Sequence, residues 1–429
     1  MMFGKKGIHL KTEIPGKKSF AVLKKLKQVS GGWSEPLPFV FSGKGEGCYF
    51  QDIDGNRILD FASQICSNPL GYNHPRLLKV LKKYQHLPIK YAGQDFIVKE
   101  HLDLLEELVR ISPGFDVGYL ANSGAEAVEN AIKIALRHKP TAKFGVSFEG
   151  AFHGRTLAAL SCTNSKSMHK KNEFTLPMRR LPFGQGMKEA FERILEQEAA
   201  AEDIGFVIVE AVQGEGGYHI ASHTMMQDLR KLCTEHRIPL IVDEVQSGMG
   251  RTGKWWAYEN FDVHPDIVAC AKALQVGAVL AKKNMFPKEA HAISSTWGGG
   301  HVLDMALGME TIHIIRDEKL LEHNAKMGRY LVERLFELPV MHPRGLGLMC
   351  AFDVDSRALR VNVALQAAKS GLAVMGCGTT GIRLIPPYLV TEKEIDEAVD
   401  VLHEAISLCD KKGFAHKGKI CEVIGCPKN

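Results

Sequence analysis

The chain has 429 residues, of which 45% are hydrophobic and 24% charged, and its formal net charge is +5 at pH 7. This composition is that of a soluble globular protein, so it excludes intrinsic disorder and a fibrous repeat. The basic residues are scattered along the chain, which argues against a nucleic-acid-binding protein. The length exceeds that of one compact core and predicts a large domain plus a smaller one.

The irregular first 45 residues precede a hairpin signal at Asp54-Gly55. Between Val117 and Val279, short apolar runs alternate with helical patterns, which predicts a mostly parallel sheet covered on both faces. Helical patterns continue from about Asp317, and a last helix is expected after Thr391. The apolar runs are Val117–Ala121, Phe144–Phe148, Phe206–Val212, Pro239–Val242 and Ile267–Cys270.

This order of elements predicts a large domain over residues 91–314. Residues 1–90 and 315–429 are expected to form the smaller domain together. No run of eighteen apolar residues occurs, and no signal-peptide pattern opens the sequence. We therefore expect a cytoplasmic protein without a membrane span.

The sequence contains ten cysteines, and eight of them are dispersed among apolar residues, as buried free thiols usually are. This pattern argues against secretion. The other two, Cys421 and Cys426, form one isolated pair near the end of the chain. Because a structural zinc site usually has four ligands, we expect no metal there.

A helix that directly follows an apolar strand is predicted to begin at Ser123, Gly124 and Ala125. Small residues at a helix start leave backbone N–H groups open, and the helix dipole adds partial positive charge. A phosphate fits such a site. Many helices begin with Ser-Gly for capping alone, so the pattern by itself leaves both interpretations open.

Two further apolar strands end in carboxylates at the edge of the sheet where ligands of open α/β sheets bind. Asp243, at one of these ends, could be a metal ligand, a solvated acid or the partner of a pyridinium nitrogen. Lys272 follows the next apolar strand. A lysine at a strand end is usually only solvated, so its neighbours must decide its role.

Those neighbours resemble the signature of class III aminotransferases. The signature segments are Val242-Asp-Glu-Val-Gln-Ser-Gly-Met-Gly-Arg-Thr-Gly and Pro265-Asp-Ile-Val-Ala-Cys-Ala-Lys. The resemblance continues along most of the chain. It includes Asp52-Ile-Asp-Gly-Asn-Arg, Gly71-Tyr-Asn-His-Pro, Asn122-Ser-Gly-Ala-Glu-Ala, Phe152-His-Gly-Arg-Thr, Gln213-Gly-Glu-Gly-Gly, Ser295-Thr-Trp-Gly-Gly, and Arg383 before Pro386-Pro387.

The resemblance implies the fold of type I pyridoxal-phosphate (PLP) enzymes, as in aspartate aminotransferase, with a seven-stranded, mostly parallel sheet. It implies that Lys272 binds PLP as a Schiff base and moves the proton in catalysis. Asp243 would keep the pyridine nitrogen protonated through a charge-assisted hydrogen bond. No metal is implied.

The resemblance assigns the remaining cofactor contacts residue by residue. Ser123, Gly124 and Ala125 would bind the phosphate. Phe152 and Val245 would pack on the two faces of the ring, Gln246 would reach the ring hydroxyl, and Thr296 would complete the phosphate site of a neighbouring subunit. A homodimer with shared active sites is thereby implied.

Arg155 and Arg383 are candidates for binding substrate carboxylates, because a guanidinium matches a carboxylate in two parallel hydrogen bonds. Structural ion pairing is the alternative for both. In the ω-aminotransferases that the chain resembles, the arginine matching Arg155 binds the remote carboxylate, and the one matching Arg383 binds the α-carboxylate of glutamate or 2-oxoglutarate. A glutamate matching Glu215 covers that second arginine. Glu210 is expected to belong to the cofactor surroundings.

The segment after the cofactor lysine, with Gln275-Val276, resembles the L-lysine 6-aminotransferase branch of the family. This favours the ε-amine of L-lysine as donor and 2-oxoglutarate as acceptor. Ser294 and Ile385 depart from that branch, and 4-aminobutyrate, ornithine and acetylornithine are the alternative donors. The same family also includes PLP-dependent amino-acid racemases, which need no keto acid.

Overall fold

The computed structural model describes residues 7–31, 36–85, 96–173, 175–293, 301–411 and 413–426. The α-helices are α1 Lys17–Val29, α2 Ser63–Cys66, α3 Pro75–Tyr84, α4 Lys99–Arg110, α5 Gly124–His138, α6 Leu157–Cys162, α7 Met187–Arg193, α8 His223–Glu235, α9 Val302–Asp317, α10 Leu320–Leu335, α11 Arg357–Lys369, α12 Glu392–Cys409 and α13 Lys419–Val423. Short 3₁₀ helices span Ser167–His169, Ala201–Asp203, Ala257–Phe261, Lys272–Leu274 and Lys283–Met285, and a π-helical turn spans Ile194–Glu198.

The strands are β1 Phe41–Glu46, β2 Tyr49–Asp52, β3 Arg57–Asp60, β4 Val117–Ala121, β5 Phe144–Phe148, β6 Met178–Leu181, β7 Ile204–Val209, β8 Leu240–Asp243, β9 Ile267–Cys270, β10 Gly277–Ala281, β11 Met341–Leu346, β12 Met349–Asp353, β13 Leu372–Ala373, β14 Met375–Cys377 and β15 Gly381–Leu384. The chain divides into two compact units. One comprises Met1–Pro75 with His323–Asn429, and the other comprises Arg76–Glu322.

The unit Arg76–Glu322 is built on a seven-stranded sheet in the order β4-β10-β9-β8-β7-β5-β6. The neighbours β9, β8, β7, β5 and β6 pair in parallel, whereas β10 is antiparallel to both β4 and β9. Only six residues connect β9 to β10, which is too few for the crossover that a parallel pair requires. The mostly parallel sheet predicted from the sequence is confirmed.

Helix α5 covers one face of this sheet. Its apolar stripe, including Val128 and Ile132, packs on side chains of the central strands such as Phe206, Ile241 and Ala269. Every residue of β5, β7, β8, β9 and β10 is buried, so these strands have both faces covered. This explains why they appear as continuous apolar runs in the sequence.

The other unit contains two four-stranded sheets, in the orders β1-β2-β3-β13 and β11-β12-β15-β14. Asp54 and Gly55 lie in the β2–β3 hairpin turn, as predicted. Helix α12 begins after Thr391, whose side chain forms a capping box with Glu394. The prediction that α12 is the last helix is wrong, because α13 follows it.

Helix α13 is too short to be stable alone, and tertiary contacts hold it. A disulfide joins Cys421 to Cys426, and the eight other cysteines are buried free thiols, as predicted. Ile420 and Val423 pack in one cluster with Leu23 of α1 and Leu365 of α11. The disulfide closes a small loop over this cluster.

Within the described ranges, no helix combines the length and apolarity that a membrane crossing requires.

Reduction of the disulfide should loosen α13 without unfolding the rest of the unit. Closing so short a loop stabilises the segment by about 2 kcal/mol in the chain-entropy description. Hydrogen exchange at the α13 amides should therefore accelerate when the wild type is reduced. The double variant Cys421→Ser/Cys426→Ser should exchange fast with or without reductant. If the α13 amides were equally protected in the wild type and the double variant, each with and without reductant, the disulfide would not have this stabilising role.

Candidate active site

The N-terminus of α5 is the point where three chain segments meet. Ser123 caps the helix, since its hydroxyl accepts a hydrogen bond from the N–H of Glu126 at 3.2 Å. A Cβ on Gly124 would lie 2.7 Å from Val245 Cγ1 and 3.5 Å from Ala271 Cβ. The helix start therefore lies directly against the segment that follows β8 and the residue that precedes Lys272.

Asp243 and Lys272 come from neighbouring strands at the same edge of the sheet. Asp243 is the last residue of β8 and pairs in register with Ala269 of β9. Lys272 begins the 3₁₀ turn after β9, with a left-handed backbone at φ +47° and a partly buried side chain. The register thus brings the two predicted catalytic residues to the carboxyl ends of adjacent strands.

Asp243 is buried, and both oxygens of its carboxyl group contact protein groups. Its Oδ1 accepts a hydrogen bond from the Val245 N–H at 2.9 Å, and its Oδ2 lies 2.7 Å from Nδ1 of His153. The His153 side chain is also buried, and its Nε2 has no hydrogen-bond partner among the described residues. A proton on Nδ1 would let His153 donate a hydrogen bond to the Asp243 carboxylate, as the Val245 N–H does.

The sequence did not reveal His153 as a site residue. It stands within the Phe152-His-Gly-Arg motif, but its partner Asp243 is distant in the chain. Only the packing of that loop against the sheet edge brings them together. A Cβ on the neighbouring Gly154 would lie 3.1 Å from Ala125 Cβ, so this loop also contacts the start of α5.

Glu210 links two loops of the site. Its Oε1 accepts from the Phe152 N–H and its Oε2 from the Gly214 N–H, each at 2.9 Å. Burial raises the pKa of Glu210 to about 7, and the nearby charge of Asp243 adds to the increase. Both oxygens bind backbone N–H groups, which suits a structural role better than that of a general base.

Val245 and Gln246 follow Asp243 and are both partly buried. Val245 contacts the start of α5 through the close approach to Gly124. The Oε1 atom of Gln246 accepts a hydrogen bond from the Tyr218 hydroxyl at 2.7 Å, which fixes the amide orientation. Tyr218 is a second buried neighbour that the sequence did not indicate.

The predicted carboxylate-binding residue Arg155 is exposed beside Phe152. Its guanidinium carbon lies 5.9 Å from the Phe152 ring centroid. His169 meets the same ring edge-on, with 5.7 Å between centroids. Glu215 forms an ion pair with Lys166, with Nζ and Oε2 at 3.5 Å. The Phe152 ring is therefore flanked by Arg155 and His169.

Arg383 and Thr296 are the two remaining predicted site residues. Arg383 is buried in β15 of the other unit, in register with Ala351 of β12 and Met375 of β14. Thr296 lies outside the described residues.

The residues around α5 have the chemistry to bind PLP, a ligand with an anionic end. The start of the helix, where Ser123 is followed by Gly124, offers backbone N–H groups to a phosphate. The carboxyl group of Asp243 suits a protonated pyridine nitrogen, and Lys272 lies at the same edge of the sheet. Among the described residues no cluster of three or more histidines, cysteines or acids could hold a metal ion.

Comparison with known proteins identifies the family. A family model described as aminotransferase class III matches residues 30–406. The acetylornithine aminotransferase of Archaeoglobus fulgidus is 36% identical over 364 residues, which cover 84% of this chain and 93% of the relative. The mitochondrial 4-aminobutyrate aminotransferase of Mus musculus is 32% identical over 434 residues, with 88% and 86% covered.

Solved structures agree with this result. The lysine aminotransferase of M. tuberculosis in its internal aldimine form superposes with a TM-score of 0.82 at 29% identity, covering 90% of this chain and 99% of that chain. The protein belongs to the class III aminotransferase family, whose members depend on PLP. The predicted type I fold and the cofactor are thereby confirmed.

Lys272→Ala should abolish covalent attachment of PLP and transamination. Lys272 is the lysine placed beside the end of β9, whereas Lys282 and Lys283 lie beyond the far end of β10. Borohydride reduction of the holoenzyme followed by peptide mapping should place the label on Lys272. The control variant Lys282→Ala should also be labelled on Lys272. A label on Lys282 or Lys283 would refute the assignment.

Asp243→Asn should impair turnover more than cofactor binding. The amide keeps the shape of the side chain but removes the charge that would hold the pyridinium proton. A charge-assisted hydrogen bond is worth about 1.5–3 kcal/mol, so kcat should fall by at least about tenfold. Retention of the wild-type kcat with full PLP occupancy would show that Asp243 has another role.

Proposed function

We propose that the protein transfers the ω-amino group of a lysine-type amino acid to 2-oxoglutarate, giving glutamate. The observation that carries this proposal is the exposed Arg155 guanidinium beside Phe152. If Phe152 packs on the cofactor ring, a substrate whose amine reaches the ring can place its remote carboxylate on Arg155. The position thus suits a donor with an amine at one end and a carboxylate at the other.

The other residues of the site would bind and orient PLP, which supplies an electron-accepting ring when bound. Ser123, Gly124 and Ala125 would bind the phosphate, and Asp243 would hold a proton on the pyridine nitrogen. Lys272 would bind the cofactor covalently and carry the proton that moves during transfer. We also propose a homodimer, following the family pattern that places Thr296 at a neighbouring phosphate site.

L-Lysine is the first donor to test. Gln275 and Val276 follow Lys272 as in the lysine 6-aminotransferase branch, and the structure is similar to a solved lysine aminotransferase. When lysine presents its ε-amine, its α-carboxylate lies at the far end of the chain, where Arg155 could bind it. Arg383 would bind the α-carboxylate of 2-oxoglutarate, as the family resemblance implies.

N-Acetylornithine is the second candidate, because the Archaeoglobus fulgidus relative of that activity is 36% identical. Its chain is one methylene shorter than that of lysine, and its α-amine is acylated. It carries the same α-carboxylate, so Arg155 could bind either donor. A panel of lysine, acetylornithine, ornithine and 4-aminobutyrate, with glutamate formation measured, separates the four.

The panel also tests the reaction type. Glutamate formation that depends on 2-oxoglutarate would support amino transfer. Inversion of an amino acid without any keto acid would instead support a racemase. Absence of glutamate formation with both lysine and acetylornithine would move the proposed donor to ornithine or 4-aminobutyrate.

Arg155→Met should raise the KM of the preferred donor and of 2-oxoglutarate by about 10-fold or more, with a smaller change in kcat. The variant loses a charge-assisted contact to carboxylates, worth about 1.5–3 kcal/mol. Arg137→Met is a matched control, because Arg137 is exposed in the last turn of α5, at the other end of that helix. Unchanged KM values in Arg155→Met would refute the proposed contact.

A further inference from the structure

Helix α2 is a single turn with a left-handed backbone. All four of its residues have positive φ angles, from +42° at Ser63 to +67° at Cys66. For L-residues this conformation brings Cβ too close to the following carbonyl oxygen, so it normally occurs at single residues. Four such residues in a row persist only where the surrounding structure holds them, and backbone strain of this kind is concentrated at functional sites.

Asp60, the last residue of β3, holds the start of this turn. Its Oδ1 accepts hydrogen bonds from the N–H groups of Ala62 at 2.8 Å and Ser63 at 2.9 Å. Its Oδ2 accepts a hydrogen bond from the Tyr72 hydroxyl at 2.8 Å. Asp60 is only 2% exposed, so these hydrogen bonds are shielded from water. One buried carboxylate therefore connects the turn to the strand before it and to the chain after it.

The chain on both sides of the turn is bound to the segment that follows Arg383. The Ile385 N–H donates a hydrogen bond to the carbonyl oxygen of Phe61, just before the turn, at 2.8 Å. The Tyr388 N–H donates to the carbonyl oxygen of Pro69, just after the turn, at 2.7 Å. All of these residues belong to one compact unit, and Ile385 directly follows the strand β15 that contains Arg383. The position of the turn is thus coupled to that of the Arg383 backbone.

We propose that Asp60 is a positioning residue for substrate binding: by holding the left-handed turn, it fixes the end of β15 that carries Arg383. This inference rests on the carboxylate-binding role proposed for Arg383. Without the Asp60 carboxylate, the turn would relax towards right-handed or extended backbone, because these conformations are lower in energy for L-residues. Phe61 and Pro69 would then move, and the segment from Arg383 to Tyr388 would move with them.

Hydrogen exchange tests the link between Asp60 and the Arg383 segment. In the Asp60→Ala holoenzyme, the amides of Ile385 and Tyr388 should exchange at least about tenfold faster than in the wild type, because charge-assisted hydrogen bonds to the turn are lost. Asp60→Asn keeps an oxygen acceptor without the charge, so exchange should accelerate about two- to threefold. This second variant carries the test if Asp60→Ala does not fold. Unchanged exchange at both amides would overturn the proposal.

Glutarate binding tests the consequence for the substrate site. Glutarate has the two carboxylates of 2-oxoglutarate but no keto group, and its binding to the holoenzyme can be measured through the cofactor absorbance. Asp60→Ala should weaken it about three- to tenfold, because a displaced guanidinium loses part of a charge-assisted hydrogen bond. Asp54→Ala is the matched control, since Asp54 also accepts two backbone N–H bonds, from Lys18 and Ser19 at 2.8 Å each. This control should bind glutarate like the wild type.

A strain-relief variant separates positioning of the turn from a general loss of stability. Ser63→Gly removes the cost of the left-handed backbone at one position. The buried Ser63 hydroxyl has no hydrogen-bond partner among the described residues, so the substitution breaks no side-chain hydrogen bond there. Ser63→Gly alone should bind glutarate like the wild type, and combined with Asp60→Ala it should restore part of the lost affinity. An equal loss with and without Ser63→Gly would contradict the role of the turn.

These outcomes are distinguishable from failure of the proposed function. Glutarate is not an amino donor, so a wrong donor assignment leaves its binding interpretable. If Arg383→Met weakens glutarate binding and Asp60→Ala does not, the positioning role is refuted. Equal weakening in Asp54→Ala and Asp60→Ala also refutes it, because the effect would then be a general one. If Arg383→Met binds glutarate like the wild type, the role of Arg383 is refuted and the role of Asp60 with it.

Discussion

The active site depends on the absence of a side chain at Gly124. A Cβ there would collide with Val245, and a Cβ on Gly277 would lie 2.3 Å from the carbonyl oxygen of Ser123. The start of α5 is thus packed between the segment after β8 and the start of β10. Because protein interiors are close-packed, these contacts fix the position of the helix N-terminus relative to Asp243 and Lys272. The proposed phosphate site and the two catalytic candidates are held by the same close contacts.

The buried carboxylates of Asp243 and Glu210 find hydrogen-bond partners within the protein itself. Asp243 accepts hydrogen bonds from His153 and a backbone N–H, and Glu210 accepts two backbone N–H bonds. Buried charges without such partners would be costly, and here the partners also join separate loops. Glu210 connects the Phe152 loop to Gly214, while His153 connects that same loop to β8. The hydrogen bonds that stabilise the carboxylates therefore also orient the ring expected to pack on PLP.

The sequence predicts strand bounds best where a buried strand forms a continuous apolar run. Strands β4, β5 and β9 have the predicted bounds, because apolar runs in a covered sheet end where the sheet ends. Strand β6, Met178–Leu181, was not predicted, since it pairs with β5 alone at the sheet edge and contains two arginines. The contact between His153 and Asp243 joins residues 90 positions apart, which no local pattern indicates. Helix α13 is stabilised by packing and a disulfide and not by the helix propensity of its own residues, so a local pattern does not predict it.

The residues proposed for cofactor binding and the residue proposed for donor binding differ in their surroundings. Gly124 and Asp243 lie close to several neighbouring groups, so a substitution at either position would disturb several contacts at once. Arg155, beside Phe152, and Lys166 are by contrast exposed. Such positions can change with little cost in stability. The acetylornithine and 4-aminobutyrate aminotransferases to which the chain is similar are named for different donors, so the family signature alone does not determine the donor.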